Sequence, residues 1–93
     1  MKTKLYITRL PYPYKVKKPI RIWKTRIDGE RAYEIPRLAI YGIDKTYEMA
    51  LINLIGEVMF VFDEFSSLPV SKLGGASRRW KKYLLKHVGK VKT

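Results

Sequence analysis

Alternating apolar and polar residues predict a β-hairpin early in the chain. Residues 20–27 and 30–35 flank Asp28-Gly29, and Asp-Gly between two such runs is a strong signal for a two-residue type I′ turn. This turn sets the register of the strands, which places Thr25 opposite Ala32. One face of the hairpin then carries the apolar side chains of Ile20, Ile22, Tyr33 and Ile35.

Two further strands are predicted around this hairpin. Residues 38–43 favour a third strand of the same sheet, in which Gly42 marks either a bulge or a close approach to another element. Residues 3–9 also alternate and predict an N-terminal strand. The prolines within residues 11–19 predict a stiff, irregular connection between this strand and the hairpin.

Apolar residues three and four positions apart predict a long helix after residue 46, with Asp44 or Thr46 as its N-cap. One apolar stripe consists of Tyr47, Ala50, Leu51, Leu54, Ile55, Val58 and Phe62. A second stripe consists of Met49, Ile52, Met59 and Phe60. The sheet can cover only one side of such a helix, so we expect a partner subunit, in a homodimer, to cover the second stripe.

A shorter, basic helix is predicted at residues 78–88, with Ser77 as its N-cap and Gly89 as its C-terminal cap. The connection before it is predicted to be a loop with a short extended piece at residues 68–70. The fold class is therefore α+β, with a three-stranded antiparallel sheet packed on one long helix, plus the basic C-terminal helix. We expect a single domain over residues 1–93, with a core at 20–65 between terminal segments 1–19 and 66–93.

Composition excludes several classes of site. The 93 residues include no cysteine and one histidine, His87, which excludes disulfides, thiolate zinc sites and cysteine nucleophiles. No nucleophile–base pair or set of metal ligands is visible, so we expect no enzyme activity, no cofactor and no metal. The most apolar segment, residues 50–62, is too short to span a bilayer, and no signal peptide is visible. We therefore expect a cytoplasmic protein. Its single asparagine and lack of glutamine fit a thermophilic source.

The net charge of +12 is concentrated at the two ends of the chain. Residues 1–26 contain nine basic residues and no acid, and residues 66–93 contain eight and no acid. The middle segment, 27–65, holds all eight acids and three basic residues. Two basic arms around a mildly acidic centre predict a polyanionic partner, and the natural partners are RNA, DNA or an anionic membrane surface.

Candidate contacts to nucleic acid follow from the side chains of these arms. Basic residues bind phosphates, and the candidates are Lys15, Lys17, Lys18, Arg21, Lys24, Arg78, Arg79, Lys81, Lys82 and Lys86. Aromatic rings stack on bases, and the candidates are Tyr12, Tyr14, Trp23, Trp80 and Tyr83. Two alternatives stay open: the C-terminal helix is a solvated helix docked through Trp80 and Leu84, or the N-terminal tyrosines fold onto the sheet.

The middle of the chain resembles the HicB-like antitoxin family. The residues that carry the resemblance are Tyr33–Leu38, Gly42 and Lys45–Leu54, in which Thr46, Glu48, Ala50, Leu51 and Asn53 fall in register with the family's helix. The resemblance covers residues 20–65 and implies a β-β-β-α unit of partial ribonuclease-H-like topology, usually dimeric. It also implies an antitoxin that neutralises HicA, a small basic ribonuclease. Members of the family are usually acidic, whereas this chain carries +12.

We therefore predict a non-enzymatic nucleic-acid-binding protein with a dimeric core and basic terminal segments. The first alternative is a HicB-like antitoxin or another regulatory module that binds a protein partner. The second alternative is an accessory protein of a ribonucleoprotein such as the ribosome.

Overall fold

The computed structural model describes residues 3–91. Six strands and two helices follow one another along the chain, with a short 3₁₀ helix at Val70–Lys72 between the helices. The elements are β1 (Thr3–Ile7), β2 (Tyr14–Val16), β3 (Ile20–Ile27), β4 (Glu30–Ile35), β5 (Ile40–Asp44), α1 (Tyr47–Ser66), α2 (Gly75–His87) and β6 (Val88–Lys90).

The predicted hairpin is confirmed in its bounds, its turn and its register. Asp28 and Gly29 have φ angles of 50° and 81°, which a type I′ turn requires at both central positions. Thr25 lies opposite Ala32. The inward face of the hairpin is buried in the core, as the alternation predicts. Its buried side chains are those of Ile20, Ile22, Tyr33 and Ile35.

The sheet has four strands and not three, in the order β1-β3-β4-β5. β1 is the additional strand, and it pairs antiparallel with β3 so that Leu5 lies opposite Ile22. It ends at Ile7, two residues earlier than predicted. The third predicted strand begins at Ile40 and not at residue 38, because the preceding turn holds Ala39 at a φ of 51°.

α1 packs one side on this sheet. Thr46 is its N-cap and accepts a hydrogen bond from the Met49 backbone N–H at 3.2 Å. Gly42 lies against the helix so closely that a Cβ there would be 2.5 Å from Leu54 N, which confirms the predicted close approach. The first apolar stripe of α1 is buried or half-buried, whereas Ile52 and Phe60 of the second stripe are 53% and 60% exposed.

The C-terminal predictions need three corrections. α2 begins at Gly75 with Gly74 as its N-cap, so Ser77 lies within the helix. Gly89 is not a helix cap, because the chain leaves α2 in an extended conformation and enters β6. The extended piece predicted at residues 68–70 is reduced to Pro69, because the 3₁₀ helix begins at Val70.

The two basic arms are joined to each other. β2, within the segment predicted to be irregular, pairs antiparallel with β6, so that Lys15 lies opposite Gly89. On either side of this pairing, the Lys17 N–H donates to the His87 carbonyl at 2.7 Å and the Val91 N–H donates to the Pro13 carbonyl at 2.7 Å. The arms therefore form one surface instead of two separate flanks.

One hydrophobic core holds these elements together. It extends from the sheet and α1 into α2 and β6, where Leu84 and Val88 are almost completely buried. Within residues 3–91, no helix combines the length and the hydropathy needed to cross a bilayer.

Candidate nucleic-acid interface

α2 has one apolar and one basic face. Leu84 and Trp80 lie toward the core, and Trp80 meets Phe65 edge to face with ring centroids 5.8 Å apart. A second face carries residues spaced i, i+3, i+4 and i+7, which share one side of a helix. These residues are Arg79, Lys82, Tyr83 and Lys86.

The basic face of α2 lines a cavity of about 430 Å³. Arg37, from the turn between β4 and β5, lines it from the other side. A second cavity of about 230 Å³ adjoins it, shares Arg37, Tyr83 and His87, and adds Tyr6, Pro19 and Arg21. We call the two cavities together the basic cleft. Five cationic side chains line it and, among the described lining residues, none is acidic.

Tyr83 lies at the centre of the basic cleft. Its ring stacks on the His87 imidazole with centroids 3.9 Å apart and planes at 16°. Burial raises the pKa of Tyr83 above its ordinary value, and the nearby Arg37 and Arg21 act in the opposite direction. The hydroxyl is therefore neutral near pH 7 and available as a hydrogen-bond donor to an anion.

His87 is held in place by the helix that carries it. Its Nδ1 lies 2.8 Å from the Tyr83 carbonyl oxygen. Because a carbonyl oxygen only accepts, Nδ1 carries the proton in this bond. This hydrogen bond fixes the orientation of the imidazole, on which the Tyr83 ring stacks.

Four of the ten predicted phosphate contacts lie in the basic cleft, namely Arg21, Arg79, Lys82 and Lys86. Four others are engaged within the protein. Arg78 Nε donates to the Leu73 carbonyl at 3.0 Å, and Lys81 Nζ donates to the Leu68 carbonyl. Lys17 Nζ donates to the Leu85 carbonyl at 2.6 Å, and Lys24 Nζ lies 4.3 Å from the Tyr47 ring centroid.

The remaining two, Lys15 and Lys18, have exposed side chains near the β2–β6 pairing and do not line the basic cleft. Arg37 was missed by the sequence prediction, because it lies in the acidic middle segment, outside both arms. The helical spacing of Arg79, Lys82 and Lys86 was the signal that would have separated them from Arg78 and Lys81.

The five aromatic candidates have different environments. Tyr83 lines the basic cleft, and Trp23 lies half-buried on the sheet with the Arg21 guanidinium 5.9 Å from its ring centroid. Trp80 packs against the core, as the docked-helix alternative predicts. Tyr12 is exposed in the loop before β2 and lines neither cavity of the cleft.

Tyr14 belongs to a different cluster, which attaches the β2–β6 pairing to α1. Its hydroxyl donates to Asp63 Oδ2 at 2.5 Å, and Lys90 Nζ lies 2.9 Å from Asp63 Oδ1. The hydrogen bond from Tyr14, followed by that from Lys90, holds the pKa of Asp63 below its usual range. The same contacts with Asp63 raise the pKa values of Tyr14 and Lys90. We call these three residues the latch.

The predicted oligomer interface lies away from the basic cleft, on the outward side of α1. Met49, Ile52 and Phe60 are exposed, and Met59 is half-buried. Gly56 lies midway between Ile52 and Phe60, and a Cβ there would meet no atom within 4 Å.

Within residues 3–91, no group of three or more His, Cys, Asp or Glu side chains is placed to hold a metal ion. The strands β3, β4 and β5 are followed by α1 in a strand–strand–strand–helix order. No protein-family model, curated protein or solved structure matches this chain.

Proposed function

We propose that this protein is a non-enzymatic nucleic-acid-binding protein that holds phosphates in the basic cleft. The observation that carries the proposal is the convergence of five cations from three separate segments: Arg21, Arg37, Arg79, Lys82 and Lys86. Such a concentration of positive charge is costly unless an anion compensates it. A polyanion does so along its length and releases its counterions.

The surroundings of the cleft favour a polymer over a small anion. Lys15 and Lys18 lie near the C-terminal end of α2, beside the β2–β6 pairing, and extend the positive surface beyond the cleft. An anionic membrane is a poorer partner, because α2 would have to insert apolar side chains into lipid. Its apolar face, with Leu84 and Trp80, is already packed into the core.

Salt dependence tests this proposal directly. We expect fluorescein-labelled DNA and RNA oligonucleotides to bind at low salt, and binding to weaken steeply as salt rises. If all five cations neutralise phosphates, the slope of log K against log salt is about −3.5 for a single strand. Absence of binding at low salt, or an affinity independent of salt, would falsify the proposal.

A charge-matched pair of variants locates the site. Arg79→Glu/Lys82→Glu reverses two cations of the basic cleft and should weaken binding at least about tenfold while reducing the slope by about 1.5. Lys45→Glu/Lys72→Glu makes the same change in net charge at two exposed lysines that do not line the cleft. Equal losses in the two variants would show that net charge, and not the cleft, binds the oligonucleotide.

We further propose that two copies associate through the outward side of α1. Ile52 and Phe60 lie four residues before and after Gly56. In an antiparallel contact between two copies of α1, with the two-fold axis at Gly56, Ile52 of one copy meets Phe60 of the other. The missing Cβ of Gly56 lets the backbones approach. A protein partner of another kind, as an antitoxin would have, would cover the same residues.

A further inference from the structure

The side of the sheet that faces away from α1, here called the outer face, continues from the basic cleft. Paired residues of neighbouring strands share a face, so the register assigns Tyr6, Arg21, Trp23, Glu34, Tyr41 and Ile43 to this side. Tyr6 and Tyr41 are 53% and 45% exposed. A depression of about 400 Å³ lies at the β5 end of this face, lined in part by Tyr41 and Ile43.

We propose that the outer face binds the unstacked bases of a single-stranded nucleic acid whose phosphates lie in the basic cleft. The proposal rests on the proposed function and adds the form of the ligand. Two residues connect the surfaces, since Tyr6 and Arg21 line the basic cleft and also belong to the outer face. A strand that leaves the cleft therefore meets the aromatic rings of the sheet.

Charge favours a nucleic acid over a second copy of the chain on this face. Pairing two outer faces would bring Arg21 and Lys4 of both copies into one interface, which is unfavourable in a chain of net charge +12. A nucleic acid supplies flat apolar bases for the rings together with phosphates for the cations.

The spacing of the rings favours a single strand over a duplex. Trp23 on β3 and Tyr41 on β5 are both paired with Glu34 on the strand between them, so their Cα positions are about 10 Å apart, or two strand spacings. Neighbouring bases in a duplex are stacked about 3.4 Å apart. Two rings at the larger spacing can each contact a base face only if those bases are unstacked.

Binding of single-stranded oligonucleotides to a Tyr41→Ala variant tests the proposal. We expect about a tenfold loss of affinity for oligo-dT and oligo-U with an unchanged salt slope, because a ring is lost and no cation is. The matched control is Tyr12→Ala, which removes an exposed ring outside both surfaces and should change affinity less than about twofold. The unchanged protein should bind a blunt duplex at least about tenfold more weakly than a single strand.

A second measurement keeps the test valid if Tyr41→Ala does not fold. In a Trp80→Phe background Trp23 is the only tryptophan, and its fluorescence should be quenched when the single strand binds. Duplex binding as tight as single-strand binding, a folded Tyr41→Ala variant within twofold of the wild type, or unquenched Trp23 overturns the proposal. If these results accompany normal salt-dependent binding, the basic cleft stands and only the outer-face proposal fails; if no oligonucleotide binds, both fail.

Discussion

Among the described glycines, Gly42 is the one whose contacts leave the least room for a side chain. It lies on β5 where α1 crosses the sheet, and a Cβ at this position would press on the backbone of Ala50 and Leu54. Backbone atoms cannot move aside as the end of a flexible side chain can. A single methyl group is therefore enough to separate the helix from the sheet.

We predict that Gly42→Ala lowers the free energy of unfolding by about 3 kcal/mol, as overpacking against rigid atoms does. Urea unfolding followed by circular dichroism measures the change. The matched control is Gly75→Ala, because a Cβ at Gly75 meets nothing within 4 Å and alanine favours the helix. A Gly42→Ala protein as stable as the control would contradict the close approach seen here.

Ala39 presents the opposite case, a residue with a side chain where none is favoured. Its φ of 51° lies in the left-handed region, which costs an L-residue about 1–2 kcal/mol. We predict that Ala39→Gly raises the free energy of unfolding by about 0.5–1 kcal/mol, since the greater freedom of glycine in the unfolded chain offsets part of the relief. Ala76→Gly, within α2, should instead be destabilising by about 1 kcal/mol.

At the scale of elements, the sequence was sufficient wherever the signal was local. The hairpin was predicted to the residue because Asp28-Gly29 sets both its turn and its register. The N-cap Thr46 and the buried stripe of α1 were predicted for the same reason. By contrast, β2 and β6 are three-residue strands from opposite ends of the chain. Each is too short to carry a periodic pattern, so their pairing could not be predicted.

The candidate site was predicted in part for a related reason. The sequence placed cations in α2, but which of them face the basic cleft depends on how α2 docks through Trp80 and Leu84. Arg37 joins the cleft only because its turn is brought opposite α2. Such a contact between distant segments leaves no signal in a single sequence, unlike the helical spacing that groups Arg79, Lys82 and Lys86.

The latch makes the attachment of β2 and β6 dependent on pH. The folded pKa of Asp63 is lowered, so its contribution to stability is present above its ordinary pKa of about 3.9 and is lost as pH falls through the lower, folded value. Tyr14 and Lys90 have raised pKa values, so their contribution is lost as pH rises through those higher values. The latch is therefore complete over the whole neutral range.

We predict that Asp63→Asn lowers the melting temperature by a few degrees at neutral pH, because Tyr14 and Lys90 each lose a charged acceptor. The difference in melting temperature between the variant and the wild type should disappear as pH falls well below the ordinary carboxyl range, because Asp63 is then protonated. Thermal melts followed by circular dichroism at several pH values measure both effects. Glu64→Gln removes the neighbouring exposed carboxylate and serves as the control; an equal effect there would assign the change to net charge.

At the scale of the whole molecule, the structure places three surfaces around one hydrophobic core. The basic cleft lies between α2 and the turn at Arg37, and the outer face of the sheet continues from it. The outward side of α1 lies across the sheet from that face. Association through α1 would therefore leave the basic cleft and the outer face of each copy accessible.

We predict a mass in solution of about 22 kDa by light scattering, twice the 11.0 kDa of the chain. Ile52→Glu should reduce it to that of one chain, because the variant buries a carboxylate in the contact between copies. Val70→Glu is the matched control, since Val70 and Ile52 are both 53% exposed. A wild-type mass of one chain would contradict the dimer, and a stable complex with a different protein would assign the α1 surface to that partner.

The position of α2 in the chain also determines when the basic cleft forms. A ribosome makes the chain from its N-terminus, so Arg79, Lys82 and Lys86 are synthesised after β1–β5 and α1. The hairpin and α1 can form from neighbouring residues while α2 is not yet made. The basic cleft is therefore completed after the sheet and α1, and a chain still under synthesis has a folding core before it has this concentration of cations.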